Sequence, residues 1–430
     1  MTAESWDVMV VGGGLGGLAA AAILGRRGLR VVVLERAGAV GGRGATHERR
    51  GFLFNEGAHA FYVGGAAARV LAGLGIRPQG RQPAPSGIAV RERKCFPLPA
   101  TIGSLVTTGL LRWPAKFQGA KLLARLGAFD SAALAGVSWD EFARAEVADP
   151  AMRATFEAFV RVATYANAAS AVSAGAVLDQ LRLAQSPGVR YLDGGWGALV
   201  SATAELARAA GARIESGARV TCAQVEGAQW RVSLDGGRSL AGRSLVLATG
   251  PAAARSIVAS PLLASWAEQA TPTRAACLCV GLSRLPDERA TFALGIDRPL
   301  YFSVHSRTAR VAPEGAALVS TMKYLPAGAP TDPARDEAEL EAWLDLLQPG
   351  WRDVLVERRW LPAMVTSNAL VTARDGGRRG RPGPRVPDAP GAFVVGDWVG
   401  GEGMLLDASL ASAAQAADEV SATLAVAKVA

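Results

Sequence analysis

DVMVVGGGLGGLAAAAILGRRGLRVVVLE, residues 7–35, decides the fold. Asp7 to Val11 is a short apolar run, and the six residues after it, Gly12 to Gly17, are all glycine except Leu15. The alanine-rich stretch Leu18 to Arg27 has a helical composition, and Gly28 stops it. Leu29 to Glu35 reads as a second buried strand ending in an acid. Strand, glycine turn, helix, strand and acid at this spacing make a βαβ unit suited to a dinucleotide.

Each part of the unit has a physical task. Gly12 permits the tight turn out of the strand, and Gly14 lets the backbone approach a pyrophosphate. Gly17 lets the helix lie close to the sheet, and Leu15 and Gly16 belong with the glycines to the expected cofactor-binding turn. The helix N-terminus then offers N–H groups and the positive end of its dipole to phosphate. Glu35 can accept hydrogen bonds from ribose hydroxyls. The unit by itself does not separate FAD from NAD.

The residues beyond Glu35 narrow the choice. Arg36 leads through Ala37 to Val40 into Gly41-Gly42-Arg43, and then comes Gly51-Phe-Leu-Phe-Asn55-Glu-Gly57, followed by Ala58 and His59. This run resembles the extended FAD signature of the flavin amine oxidase and phytoene desaturase superfamily, which includes protoporphyrinogen oxidase. The resemblance implies that Gly42 passes under the pyrophosphate, that Arg43 supports it, and that Gly57, Ala58 and His59 lie near the flavin. Asn55 stands where the family usually has an acid, with Glu56 beside it.

Two later segments extend the resemblance. Ser244-Leu-Val-Leu-Ala-Thr-Gly250 is an apolar strand ending in a small-residue turn, preceded by Tyr191-Leu-Asp-Gly-Gly195, Trp196 and a strand at Val220. The family would place Gly250 against the nucleotide and the Val220 backbone against adenine. Ala392-Phe-Val-Val-Gly396-Asp397 is a strand ending in Gly-Asp, after which Gly403-Met404-Leu405 opens a helix over Leu406 to Ala425. The resemblance puts the Asp397 carboxylate on the ribityl or pyrophosphate side of FAD, and the helix start at flavin N1 and O2. The competing, less favoured reading of Asp397 is a turn or N-cap acid.

The fold implied is α/β: a Rossmann-like FAD-binding domain, discontinuous over 1–75, 190–250 and 385–430, with an α+β substrate-binding domain over 76–189 and 251–384. The stretch Arg374 to Arg385 is poor in apolar residues and rich in Gly and Pro, and reads as a solvated loop or domain crossing.

Composition excludes several classes. Half of the 430 residues are hydrophobic and 20% are charged, which is incompatible with global disorder. No apolar run is long enough for an ordinary spanning helix. The net charge of +8 raises polyanions as partners, but the excess is nearly all arginine in an Ala- and Gly-rich chain, and no basic stripe is interleaved with aromatics. Nucleic acid is therefore not an expected partner. Cys95, Cys222, Cys277 and Cys279 form no CxxC pair, and His47, His59 and His305 lie at no metal-ligand spacing, so no metal is expected. The alternation at Cys277 and Cys279 suits two small buried side chains on one face of a strand. The first strand begins so near Met1 that no signal peptide fits, which predicts a cytoplasmic protein.

The substrate side is less explicit. Residues 101–127 have a helical pattern that Pro114 would break in two, with Phe117, Ala120, Leu122, Leu123 and Leu126 on one broad face and Lys121 and Arg125 on its flank. That face suits either a lid packed on the body or a peripheral membrane contact. His59 is the candidate catalytic residue, as a base or an orienting group; a hydrogen-bonded structural role is the competing reading. Tyr165, Tyr301, Tyr324, Trp360 and Trp398 are candidates to line a cavity or simply to pack. No serine-hydrolase triad, HExxH or Walker motif is present, as expected where a cofactor carries the hard step. Many amine oxidases place a lysine near flavin N5, and the matching stretch Thr273 to Cys277 has none. The expected function is an FAD-dependent oxidoreductase taking hydride from an activated C–H of a fairly apolar small molecule. Oxidation of a C–N bond and a non-catalytic flavin-binding protein are the alternatives.

Overall fold

A computed structural model describes residues 5–328 and 330–429. The glycine-rich unit folds as β1 (Ser5–Val11), α1 (Leu15–Arg26) and β2 (Val31–Glu35). β1 and β2 pair in parallel, Val8 to Val11 against Val31 to Leu34. Every residue of β2 is buried, as unbroken apolar runs demand when helices cover both faces of a parallel sheet.

The first sheet has the order Arg213–Ser216, β2, β1, Ser239–Leu247, Gln229–Leu234 and Val220–Glu226, with Ala392–Val394 pairing in parallel onto the end of Ser239–Leu247. On one face lie α1, Gly195–Ala209 and the long C-terminal helix Leu405–Val429. Ala19 to Ala22 of α1 are fully buried, and so small a helix can sit deep between its neighbours. The opposite face is covered by Pro251–Ile257 and Pro261–Gln269.

The second sheet runs Leu355–Ser367, Thr273–Leu282, Ala317–Leu325, Leu300–Val304, Phe292–Gly295, Ile88–Arg91 and Lys94–Pro97. Pro333–Leu347 packs on one face, and a helical layer including Trp113–Arg125, Pro150–Thr164 and Ala174–Gln185 covers the other. This is the α/β architecture expected. Cys277 and Cys279 face the same way within Thr273–Leu282, both buried and unpaired. Among the described residues no helix is long and apolar enough to cross a membrane, and no group of three potential metal ligands occurs.

Two expectations change. Residues 101–127 do form two helices, Ile102–Thr107 and Trp113–Arg125, but Pro114 lies in the first turn of the second and helps to start it. The break falls before it. The buried stripe is Ala115, Gly119, Leu122 and Leu126, while Phe117 is 73% exposed and Ala120 also faces out. Gly119 sets this phase: a Cβ there would lie 2.6 Å from the Met152 sulfur, so the close approach fixes which side faces in. The Arg374 to Arg385 stretch is a loop around the 3₁₀ turn Gly377–Gly380, yet Arg381 points inward and donates to the carbonyls of Asp397, at 3.1 Å, and Gly403, at 2.8 Å.

Candidate functional site

The site begins where β1 ends. Gly12 has φ +110°, and a Cβ there would lie 2.4 Å from the Ala248 carbonyl oxygen. Only glycine satisfies both constraints. Gly14 precedes α1 in an extended conformation, and no side chain caps the helix. At Gly17 a Cβ would lie 2.0 Å from the Gly12 carbonyl oxygen, so α1 rests directly on the turn. The second glycine pair docks on the first: Gly41 donates its N–H to Gly13 O at 2.8 Å, and Gly41 and Gly42 have φ of +132° and +53°.

Glu35 joins the parts. Its Oε2 accepts the Gly13 N–H at 2.7 Å and its Oε1 accepts the Ala37 N–H at 2.8 Å. The carboxylate is thus aimed by the backbone, and each oxygen keeps a lone pair for a further donor.

A cavity of about 510 Å³ extends from this point, of a size ordinary for a small-molecule or cofactor site. Glu35, Arg36, Arg219 and Val220 line one end. Gly12, Gly14, Leu15, Gly16, Gly42 and Arg43 line the middle. Ala58, His59, Tyr62, Tyr165, Met364 and Leu405 line the other end, with Gly250 and Gly396 also on the wall. Gly17, Gly57, Asp397, Gly403 and Met404 stand behind the wall. Gly57 (φ +83°) makes room for Met364, whose sulfur would lie 2.3 Å from a Cβ at that position.

Asp397 is fully buried. Its Oδ2 accepts from Arg43 Nη1 at 2.7 Å and from the Asn368 N–H at 3.0 Å, and its Oδ1 accepts from Asn368 Nδ2 at 2.8 Å. Burial alone would raise its pKa; Arg43 and then Asn368 outweigh that and hold it at about 2. Arg43 also donates to the Thr366 carbonyl at 3.1 Å. The Gly-Asp carboxylate therefore acts on the arginine that lines the cavity.

The Asn55–Glu56 pair does separate work. Asn55 Oδ1 accepts the Trp196 N–H at 3.0 Å, and Thr46 Oγ1 accepts the Gly197 N–H at 2.7 Å. Together they cap the helix Gly195–Ala209 from another part of the chain. Glu56 pairs with Arg359 at 2.5 Å and with His47 at 2.7 Å.

At the far end, His59 Nδ1 meets the Gly57 carbonyl at 3.0 Å and its ring lies 4.8 Å from that of Trp196. Burial lowers its pKa, and the charge of Arg43 acts in the same direction, so the ring is neutral. Of the candidate aromatics only Tyr165 lines the cavity. Tyr301 bonds to Tyr191 at 3.2 Å and His305 at 3.3 Å, Tyr324 packs 6.4 Å from the Tyr165 ring, and Trp398 donates to Thr249 O at 2.9 Å. Trp360 packs with the cluster around Pro333–Leu347. Burial raises the pKa of Tyr62 to about 12 and that of Tyr165 well above the usual value, so both are neutral phenols.

Sequence reasoning missed Asn368, Met364 and Asp407. Asn368 and Met364 carry no local signal, because a strand from the other sheet delivers them. Asp407 had one: it is an acid within an otherwise small and apolar helix start. It is buried, accepts the Ala67 N–H at 2.7 Å through Oδ1, and burial lifts its pKa to about 6. Among the described residues no lysine lines the cavity; Lys323 pairs with Asp336 at 2.6 Å and Glu339 at 2.7 Å.

An elongated cleft with a Cβ-free cradle, an uncapped helix start and a carboxylate at one end fits FAD. Fold and cleft together define a dinucleotide-binding protein. Residues 15–421 match the family described as flavin containing amine oxidoreductase, and the chain belongs to that family. It is an FAD-dependent oxidoreductase. It is 49% identical over 61 residues to human all-trans-retinol 13,14-reductase, covering 14% of this chain and 10% of that protein. It is 36% identical over 129 residues to coproporphyrinogen III oxidase of Propionibacterium freudenreichii subsp. freudenreichii, covering 27% and 24%. These curated relatives are thus matched over a quarter of their length or less. An oxidoreductase from Methanosarcina mazei shares the fold with a TM-score of 0.76 at 20% identity, covering 97% of this chain and all of that one.

Proposed function

We propose that the protein takes hydride from an activated carbon, allylic or adjacent to a heteroatom, of a fairly apolar small molecule. The observation that carries this is the cavity wall at the end remote from Glu35. Ala58, Phe61, Tyr62, Tyr165, Met364 and Val365 make it largely apolar, its phenols are neutral, and its imidazole is neutral. Bound FAD supplies the two-electron acceptor. The chain's own part is to bind, to orient and to exclude water. Gly12, Gly14 and Gly42 would admit the FAD pyrophosphate closely, Arg43 would support it from the cavity wall, and Glu35 would accept from the ribose hydroxyls. His59 serves as an orienting group, its Nδ1–H held by the Gly57 carbonyl and its ring packed against Trp196.

A second reading, oxidation of a C–N bond, draws on the family's name and on Asp407, the one acid at that end of the cavity. Anaerobic mixing with candidate substrates, followed by product analysis, separates the readings. A new C=C bond supports the first, whereas imine, aldehyde or ammonia in stoichiometric yield supports the second. A flavin that no apolar or amine candidate bleaches would instead favour a binding protein without turnover. A cytoplasmic site of action belongs to the same proposal, and the four unpaired cysteines support it.

A further inference from the structure

We propose that Asp407 is a proton-holding residue of the cofactor cleft: as two electrons and one proton reach bound FAD, its carboxylate takes one further proton from water, so that no net charge is added to the buried site. Asp407 lies on the cavity wall at the end remote from Glu35, with Tyr62, Leu405 and Leu406. It is 3% exposed, and while Oδ1 accepts the Ala67 N–H at 2.7 Å, Oδ2 has no partner. A buried carboxylate oxygen without a donor is costly, and a proton on it lowers that cost. The inference rests on the reading that the flavin ring lies at this end, and it is independent of which bond the enzyme oxidises.

The carboxyl sits in a built socket. A Cβ at Gly65 would lie 2.2 and 2.3 Å from its two oxygens, and a Cβ at Gly403 would lie 2.5 Å from its own Cβ. Gly65 stands at the start of the helix Ala66–Gly73 and Gly403 in the turn before Leu405–Val429, so two helix starts converge on this side chain. The backbone that presents it is unusual too, since Leu405 has φ +54°. Of the five non-glycine residues with positive φ among those described, Leu405 and Tyr165 line the cavity, while Arg50, Glu92 and Arg93 sit at hairpin turns. Backbone held in this way collects at functional sites.

The surrounding charges leave the proton to Asp407. Burial is the largest influence on it and lifts its pKa to about 6; Glu402, in the turn before its own helix, pushes the same way, and Arg69, on Ala66–Gly73, pushes back. Glu402 and Arg69 pair with each other at 2.7 Å on the surface, so neither is a fixed partner for Asp407. Arg381 reaches the same turn from the loop before Ala392–Val394, but its hydrogen bonds go to the carbonyls of Asp397, Glu402 and Gly403. The other titratable groups on this end of the wall, His59, Tyr62 and Tyr165, are neutral and stay so near pH 7. A negative charge arriving nearby raises a carboxyl pKa further. Just above pH 6 Asp407 is therefore ionised beside oxidised flavin and protonated beside reduced flavin.

The test uses the FAD-loaded protein, reduced anaerobically with dithionite and without substrate. Midpoint potentials are measured from about pH 6 to about pH 8. The wild type is expected to take up two protons per two electrons over part of this range, and Asp407→Asn one, so that the wild-type potential falls about twice as steeply with pH there. A lost capping hydrogen bond alone would change stability but not the number of protons. The infrared difference between oxidised and reduced wild type is expected to show a new C=O band of a protonated carboxyl, absent from Asp407→Asn and retained in Glu402→Gln. Glu402 is exposed, so the second variant keeps the proposal testable if Asp407→Asn does not hold FAD. The proposal is overturned if the wild type and Asp407→Asn have the same slope, if no carboxyl band appears on reduction, or if Glu402→Gln abolishes the band. A band that appears when FAD-free wild type is acidified, but not on reduction of the loaded protein, would mean that the flavin ring lies elsewhere. A band in neither case would mean that Asp407 holds no proton.

Discussion

Arg43 and Asp397, separated by 354 positions in the chain, meet at 2.7 Å behind the wall of the cofactor cleft. One comes from the second glycine turn and the other from the end of the strand Ala392–Val394. The contact therefore joins the two ends of the sequence beside the glycine cradle. Asn368, delivered by the chain leaving the second sheet, closes the group with two more hydrogen bonds to the same carboxylate. One buried anion thus registers three segments against each other.

Replacing that anion should be felt as lost stability and lost cofactor together. Asp397→Asn keeps the shape but leaves Arg43 without its counter-ion. Breaking a buried pair costs about 3–5 kcal/mol, and with the Arg43 side chain 40% exposed solvent screening reduces this to about 1–3 kcal/mol. The pKa of about 2 lies below the unfolded value of about 3.9, so the contribution is complete above that value and disappears as pH falls towards 2. Denaturant titration between pH 2 and pH 5 should show the wild type and the variant converging at the acid end. A constant difference across that range would mean that the Asp397 charge is not what stabilises the joint.

Glu35 should matter to the cradle as well as to the ribose. Glu35→Ala removes the acceptor of both the Gly13 and Ala37 N–H groups, and hydrogen bonds to a charged group contribute about 1.5–3 kcal/mol each. The expected result is FAD lost on desalting, with the protein still folded by circular dichroism. Full retention of yellow colour after desalting would remove Glu35 from the binding site.

How much of this could be read in the sequence follows from which interactions are local. The β1–α1–β2 unit was legible because its strand, turn, helix and acid are consecutive, and the steric reason for Gly17 lies within the same turn, at the Gly12 carbonyl. The helix around Trp113–Arg125 was legible as a helix, but its facing was not. Apolar spacing alone allowed Phe117 into the buried stripe, and only the contact between Gly119 and Met152 excludes it. The role of Asp397 was visible only as a choice between cofactor contact and turn acid, because Arg43 and Asn368 reach it through tertiary packing. Asn368 and Met364 could not be read at all, since no neighbour in sequence takes part in what they do.

At Asn55, where the family usually has an acid, the structure predicts tolerance. Asn55→Asp retains an oxygen for the Trp196 N–H and places negative charge at a helix N-terminus, a change worth about 0.3–1 kcal/mol in favour of folding. Asn55→Ala removes the cap and should cost about 0.5–2 kcal/mol. Thermal melts of both variants check the pair. A strongly destabilised aspartate variant would show that repulsion from Glu56 outweighs the helix dipole.

Asp407 makes the opposite prediction from Asp397, because its pKa is shifted the other way. Burial raises it to about 6, and the nearby Glu402 carboxylate pushes in the same direction, against the Ala67 N–H and Arg69. Tyr62, also close by, is a neutral phenol in this range. A carboxyl with a folded pKa above its unfolded value of about 3.9 favours the folded state at low pH, and this advantage is lost as pH rises through about 6. Above that pH the ionised, buried group is a burden of about 2–3 kcal/mol. Asp407→Asn can still accept the Ala67 N–H and never ionises. In the flavin-free protein it should match the wild type at pH 4 and exceed it in stability at pH 8. Denaturant titrations at the two pH values test this directly, and equal stability at pH 8 would show that Asp407 ionises there without penalty.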